Sequence, residues 1–294
     1  MAAFAEFGKW TAFGLSLAQT SLEAIESLGG KGTEVIEGRP PGYRDFDPEV
    51  IGVDKQAEDA IIGGLRQSGV KAVVLSEEAG RLELPGDPAR AGELAEPVYC
   101  IIDPFDGSML YRRQIPAFWY TCLAIYDRQR QPLCAVVVDV LQRTVDFANR
   151  EGAYTATLSD DSLYAVKEAR PSQVTALKDA FLESYMMKPR YMYPTAVTFR
   201  PLLEKCKFVL ANGGPCGFAD VAKGKVDVYL AVKEAAVEVF TGLPLAQRAG
   251  AVVTTFDGGP VAFEDDINKR FAVVCSANEH LHEQVLAEIA RLNL

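Results

Sequence analysis

The stretch Ile101-Ile102-Asp103-Pro104-Phe105-Asp106-Gly107-Ser108 closes an apolar run that begins at Val98. The run has the composition of a buried strand and stops at Asp103, after which Pro104, Asp106 and Gly107 force a tight turn. Two carboxylates, exposed carbonyls and the Ser108 hydroxyl are thereby bunched at one strand end. All-oxygen donors of this kind suit a hard cation, magnesium or manganese, and a backbone stiffened by Pro and Gly meets the near-octahedral demand of Mg²⁺. An ordinary Asp/Pro/Gly turn has the same composition, so the stretch is weighed with its surroundings.

Upstream, Lys71–Leu75 reads as a second buried strand, and it ends at Ser76, Glu77 and Glu78. Two apolar strands that both end in acids predict that Glu77, Asp103 and Asp106 converge, because ligand crevices in α/β sheets lie outside strand ends. Adjacent carboxylates raise one another's pKa, and with no basic residue interleaved among them a divalent cation is the expected compensation. Asp54 opens and can cap a helix running to about Gln67, with Ile61, Ile62 and Leu65 on one side. Residues 31–48 and 81–97, rich in Gly, Pro and charge, are expected to be a surface loop and a flexible excursion. At the start, Phe4, Trp10, Phe13, Leu17, Leu22 and Leu28 predict one long amphipathic helix over residues 4–28, stopped by Gly29 and Gly30.

Downstream, segments 118–126, 132–141, 144–148 and 153–158 are β-branched or aromatic, which predicts an antiparallel meander with a hairpin turn at 127–131. The Ser-Asp-Asp-Ser run at 159–162 reads as a boundary between subdomains 1–162 and 163–294. Residues 172–206 read as mostly helical and carry Tyr185, Met186, Met187, Lys188, Arg190, Tyr191 and Tyr193. That patch is either a plain helical surface or a specificity surface, where Lys and Arg hold phosphate and Tyr covers a sugar ring. A strand at 208–211 runs into Asn212, Gly213 and Gly214, whose bare backbone before a helix can approach a substrate's hydroxyls or phosphate. A strand at 225–232, a helix at 235–249 carrying Glu238 and kinked at Pro244, strands at 252–256 and 271–275 and a helix at 279–292 complete an α/β second half.

Composition narrows the function classes. A chain of 294 residues, 49% hydrophobic, buries a large core. The net charge of −10 with no basic run argues against nucleic acid or anionic membrane as partners. Cys100, Cys122, Cys134, Cys206, Cys216 and Cys275 form no Cys-x-x-Cys pair and read as buried thiols of a reducing compartment. Met1–Leu17 lacks an export pattern and no run reaches the roughly 18 apolar residues of a membrane span, so a cytoplasmic protein is expected. His280 and His282, the only histidines, are expected at the surface, which leaves base chemistry to a carboxylate or to metal-activated water.

In this order, Asp54 before a helix, Ser-Glu-Glu at 76–78, the 101–108 stretch and the Gly242–Val252 segment resemble the inositol monophosphatase and fructose-1,6-bisphosphatase superfamily of metal-dependent phosphatases. The resemblance covers roughly residues 45–260 and implies a layered αβαβα sandwich of α/β (α+β) class, with mixed and antiparallel sheets in two subdomains. It implies two or three Mg²⁺ ions, with Mn²⁺ an alternative, held by Glu77, Asp103, the Phe105 carbonyl, Asp106 and, from the second subdomain, Glu238. Asp54, Ser108 and Glu77 would be catalytic, and Gly107, Ser108, Asn212, Gly213 and Gly214 would hold substrate. The implied activity is hydrolysis of a small phosphorylated metabolite of inositol monophosphate, sugar bisphosphate or 3′-phosphonucleotide type, by a homodimer. Three departures stand out: Glu238 replaces the family's usual Asp, with Glu234 a helical turn earlier as the alternative ligand; Leu110 replaces an Asn; and the segment Asn212–Pro215 together with Ala231 departs from the usual substrate elements.

Overall fold

The structure, a computed structural model, describes residues 2–39, 42–43, 49–159 and 162–292. Parts of the expected 31–48 loop and the middle of the expected 159–162 boundary lie outside the described residues. In place of one helix over 4–28, a 3₁₀ segment at Ala2–Phe7 precedes α1 (Lys9–Ser27), because Gly8 breaks the path at φ +86°. The Gly- and Pro-rich loop contains β1 (Val35–Gly38), which pairs antiparallel with β2 (Glu49–Ile51) just before α2 (Gly52–Ser68).

Then follow β3 (Ala72–Ser76), β4 (Gly80–Leu84), the single turn α3 (Pro88–Ala91), β5 (Val98–Asp106) and the short α4 (Ser108–Arg112). The expected flexible excursion at 81–97 is thus mostly ordered, and β4 covers the free edge of β3 as an antiparallel partner. The meander is β6 (Tyr120–Tyr126), β7 (Pro132–Asp139), β8 (Thr144–Ala148), β9 (Ala153–Ser159) and β10 (Ser162–Glu168). These strands build an eight-stranded sheet in the order β10-β9-β8-β7-β6-β5-β3-β4, in which only β3 and β5 run parallel.

In the segment expected to be mostly helical, a 3₁₀ turn at Leu177–Asp179 is followed by β11 (Phe181–Glu183), and only then come α5 (Pro189–Thr198) and α6 (Arg200–Leu203). The chain continues through β12 (Phe208–Leu210), α7 (Pro215–Ala222), β13 (Val228–Ala235), α8 (Ala236–Ala249), β14 (Val252–Thr255), β15 (Arg270–Ser276) and α9 (Glu279–Ile289). The second sheet has the order β12-β11-β13-β15-β14, with β11 parallel to both neighbours.

Strand alternation sorts the side chains into layers. Cys100, Ile102, Leu123, Ile125 and Val136 pack with Phe13, Leu17, Ile61 and Leu65 of α1 and α2. Their neighbours Ile101, Cys122, Ala124, Ala135 and Val137 face the opposite way, onto Phe218, Val239, Phe240 and Leu243 of α7 and α8. Those helices also cover Tyr229, Ala231 and Val273 of the second sheet, whose outer residues Leu182, Leu230 and Val274 bury Leu281, Val285 and Ile289 of α9. The result is the αβαβα sandwich expected from the resemblance. Pro244 lies inside α8 and cannot donate to the carbonyl of Phe240; that carbonyl accepts the Tyr126 hydroxyl at 2.6 Å from the first sheet. His282, expected at the surface, is buried between Thr254 and Ser276, its Nε2 and Nδ1 lying 2.9 and 3.0 Å from their hydroxyls, whereas His280 is exposed. Among the described residues no helix is long and apolar enough to cross a membrane.

Candidate active site

Parallel pairing of β3 with β5 aligns Ser76 with Ile102, so the two strands end side by side. The Glu77 amide donates to the Ile102 carbonyl at 3.0 Å, which fixes Glu77 beside Asp103. Ladder pairing of β5 with β6 is interrupted between Asp103 and Asp106, where the chain bulges into the turn. Gly107 takes φ +104° there, and a Cβ at this position would lie 2.1 Å from the Phe118 carbonyl oxygen, so no other residue fits. Beneath the turn the Phe105 ring packs edge-on to Tyr111, while its carbonyl faces the cleft and accepts Ser108 Oγ–H at 3.1 Å.

Asp54 sits in the first turn of α2. Its Oδ2 accepts the Ile51 amide at 3.0 Å, the capping role expected of it, and its Oδ1 accepts the Ser108 hydroxyl at 2.7 Å. Burial pushes the Asp54 carboxyl up to about 7, against the pull of the Ser108 and Ile51 hydrogen bonds. Glu58, one helical turn on, accepts from the Ser76 hydroxyl and from the Ala79 amide at 2.9 Å, locking the end of β3. Sequence reading missed Glu58, although its i, i+4 spacing from Asp54 on the buried helix face was a usable signal.

Asp103 is buried beneath the cleft floor, and its Oδ1 has no hydrogen-bond partner. Burial, followed by the charges of Glu77 and Asp106, holds its carboxyl well above the usual range. Across the cleft, Gly214 approaches Asp106 so closely that a Cβ would lie 3.1 Å from Oδ2. The Gly214 amide donates to the Tyr229 hydroxyl at 2.7 Å, and that hydroxyl donates to Glu234 Oε1 at 3.2 Å. Glu234 is not on a lengthened helix, as the alternative reading had it. It lies near the end of β13, after a register shift at which Lys233 takes φ +58°, and it shares a hydrogen bond with Glu238 at the start of α8. Glu238 also accepts the Ala235 amide at 2.9 Å. Burial and the Glu238 charge raise Glu234 well above the usual carboxylate range.

These groups open on a cleft of about 430 Å³, lined by Asp54, Glu77, Asp106, Gly107, Ser108, Asn212, Gly213, Gly214, Glu234 and Glu238, and rimmed by Arg112, Tyr185, Met187, Lys188 and Tyr191. The cleft therefore gathers the predicted residues from both halves of the chain, apart from Asp103, which lies below its floor. The side chain of Asn212 is engaged away from it, donating to Cys216 Sγ at 2.9 Å.

No basic residue adjoins the acids in sequence, but the fold brings Arg39 to them. Its Nη2 lies 2.8 Å from Glu78 Oε1 and 3.4 Å from Glu77 Oε1, and its Nε donates to the Glu77 carbonyl at 3.1 Å. Nothing in the spacing of Arg39, 38 residues before Glu77, pointed to this contact. Among the described residues, no three His, Cys, Asp or Glu side chains stand close enough to hold an ion without moving. The donor set nevertheless fits a hard cation: it is all oxygen, part of it is a buried carboxylate with an unpartnered oxygen, and the mutual repulsion of the acids is relieved by positive charge.

A "Fructose-1,6-bisphosphatase/inositol-1-monophosphatase" of Archaeoglobus fulgidus is 28% identical over 235 residues, covering 79% of this chain and 81% of the relative. The Escherichia coli protein named Nus factor SuhB is 26% identical over 229 residues, 77% of this chain and 78% of the relative. Among solved structures, SuhB of Bartonella henselae superposes with a TM-score of 0.73 at 21% identity, covering 94% of this chain and 96% of that one. An inositol monophosphatase–fructose 1,6-bisphosphatase superposes at 0.73 and 20% identity, covering 95% and 99%; at such identities the likeness speaks to the fold. The profile of the inositol monophosphatase family matches residues 9–294. With almost the whole length matched and the same layered fold, the chain belongs to the inositol monophosphatase family.

Proposed function

We propose that this protein is a divalent-cation-dependent phosphatase that hydrolyses a small phosphomonoester by direct attack of water. The observation that carries the reading is the Ser108–Asp54 contact of 2.7 Å, set beside the joined strand ends that bear Glu77 and Asp103. Glu77, Asp103, the Phe105 carbonyl, Asp106 and Glu238 would hold Mg²⁺ or Mn²⁺, with Glu234 supporting Glu238. Bound there, such ions neutralise phosphoryl charge and acidify water.

The chain's own groups do the rest. Asp54, buried and hydrogen-bonded to Ser108, is placed to act as the general base. The Ser108 hydroxyl donates to Asp54, so its oxygen lone pairs orient the attacking water, whose proton passes through Ser108 to Asp54. The oxygen of that water bonds to phosphorus as the ester P–O bond breaks in line, and the leaving alkoxide takes a proton from solvent. Gly107 and Ser108, at the start of α4, offer backbone N–H groups to the phosphate. At the rim, Lys188 suits a second anionic group, as does Arg112 once it leaves Glu49 Oε2 at 2.8 Å, and Tyr185 and Tyr191, edge to face at 5.4 Å, suit a ring. That lining favours a sugar bisphosphate or a phosphorylated nucleoside over a bare inositol monophosphate.

A second reading, a metal- or ligand-binding relative of low activity, draws on Glu238, Leu110 and the ion pair of Arg39 with Glu77. Phosphate release from inositol monophosphates, sugar bisphosphates and 3′-phosphonucleotides, with Mg²⁺ or Mn²⁺ and with EDTA, separates the two. Cation-dependent release supports the first reading, and folded, ion-binding protein with no release on any substrate supports the second.

A further inference from the structure

Arg39 lines the cleft but takes no part in the proposed phosphatase chemistry. It follows β1 directly, and the β1–β2 ribbon, whose second strand leads into α2, lays its side chain over the ends of β3 and β5. The Arg39 side chain is 4% exposed. It meets oxygen on every edge described: Nε to the Glu77 carbonyl at 3.1 Å, Nη1 to the Glu49 carbonyl at 3.2 Å, Nη2 to Glu78 Oε1 at 2.8 Å and Glu77 Oε1 at 3.4 Å. A planar, always charged group so surrounded acts as a cation in an oxygen cage. Its field reaches further, because it pulls down the carboxyls of Asp54 and Glu78 against their burial.

We infer that Arg39 is a built-in cation of this site: its guanidinium takes the place of a divalent ion on the Glu77 side, so an ion binding there has to displace it. Glu78 is the anchor that makes the arrangement persist. Its carboxylate is 3% exposed and takes the shorter of the two contacts, so Arg39 stays tied beside Glu77 even when that carboxylate turns away. An ion seated by Asp103 and Asp106 need not meet the guanidinium, whereas one drawing on Glu77 feels its repulsion at close range. The chain should therefore take up fewer divalent ions, or take up the last of them more weakly, than its carboxylates would allow.

The inference rests on the reading of Glu77 as an ion ligand, and the test keeps the two apart. Mn²⁺ is titrated into the wild type and into Arg39→Gln, Arg39→Met and Arg39→Lys, with free Mn²⁺ followed by electron paramagnetic resonance, heats by calorimetry and folding by circular dichroism. The expected result is one more Mn²⁺ per chain, or at least tenfold tighter binding of the last ion, in the Gln and Met variants, while Lys, which keeps the charge, stays near the wild type. Should one neutral variant fail to fold, the other carries the comparison. Equal stoichiometry and affinity in wild type and neutral variants overturn the role of Arg39, as does an equal gain in the Lys variant, which would make the effect one of shape. Absence of Mn²⁺ binding in wild type and variants alike overturns the metal reading itself.

Discussion

Replacing Gly107 by Ala tests whether the 103–108 turn is as tightly held as the geometry demands. The new Cβ would meet the Phe118 carbonyl oxygen at 2.1 Å, roughly 1 Å closer than a carbon and an oxygen tolerate. The partner is backbone at the entry to β6, so it cannot rotate out of the way. An L-residue with a side chain at φ +104° also carries strain of about 1–2 kcal/mol, and relieving the clash adds about 1–3 kcal/mol of the kind seen on overpacking. Together these place the loss near 2–5 kcal/mol, or roughly 3–8 °C in melting temperature for a chain of this size. The turn must open by on the order of 1 Å, which carries Asp106 and Ser108 away from Asp54 and lowers turnover about a hundredfold. Thermal melts and cation-dependent phosphate release measure the two effects. A variant that melts within a degree of the wild type and releases phosphate at the same rate would refute the argument.

Two other substitutions probe the buried acids. Asp103→Asn removes a charge held among Glu77, Asp106 and Glu238; in EDTA it should melt higher than the wild type. It should also lose the stabilisation by Mn²⁺, about 2.7 kcal/mol at a hundred times the dissociation constant, and an undiminished Mn²⁺ shift would remove Asp103 from the ligand set. Glu183, at the end of β11, is buried beside Asn212, and burial with the Asp220 charge pushes its carboxyl up to about 8 against the pull of Asn212 and Lys223. The folded state then holds the proton that the unfolded state releases above its ordinary value of 4.5, so stability falls as pH rises through that window. Glu183→Gln should abolish this slope and melt higher than the wild type at pH 8, by a few kcal/mol on the scale of about 1.4 kcal/mol per unit, with little difference near pH 4.5. No gain at pH 8 would mean that Lys223 already compensates an ionised Glu183.

What could be read from the chain alone was whatever depends on near neighbours in sequence. Continuous apolar, β-branched or aromatic runs at 98–102, 118–126 and 132–141 marked buried strands, and in the structure each residue's layer follows from its parity along the strand. The turn at 103–108 was legible because Pro and Gly restrict their own backbone, and Asp54 because a cap acts within one helical turn. The strand ends bearing Glu77 and Asp103 could be predicted to meet, but only the parallel register of Ser76 with Ile102 makes them adjacent. β4 and β11 were read as irregular or helical, since short strands made regular by their partners carry little pattern of their own. Glu234 was placed on a helix for want of the register shift that turns it from β13 toward Glu238. His282 was assigned to the surface because its i, i+2 spacing from His280 says nothing of what packs over the helix.

The sequence by itself determined the strand ends and the acids they carry, through local restrictions that each residue imposes on its own backbone, and its motifs carried the resemblance that implied the layered fold. Only the tertiary structure decided the charge balance of the site. Arg39 reaches Glu77 and Glu78 across 38 residues of chain because the β1–β2 ribbon folds over the strand ends. No local pattern encodes such a contact, since its energy depends on burial and distance, which exist only once the layers have packed.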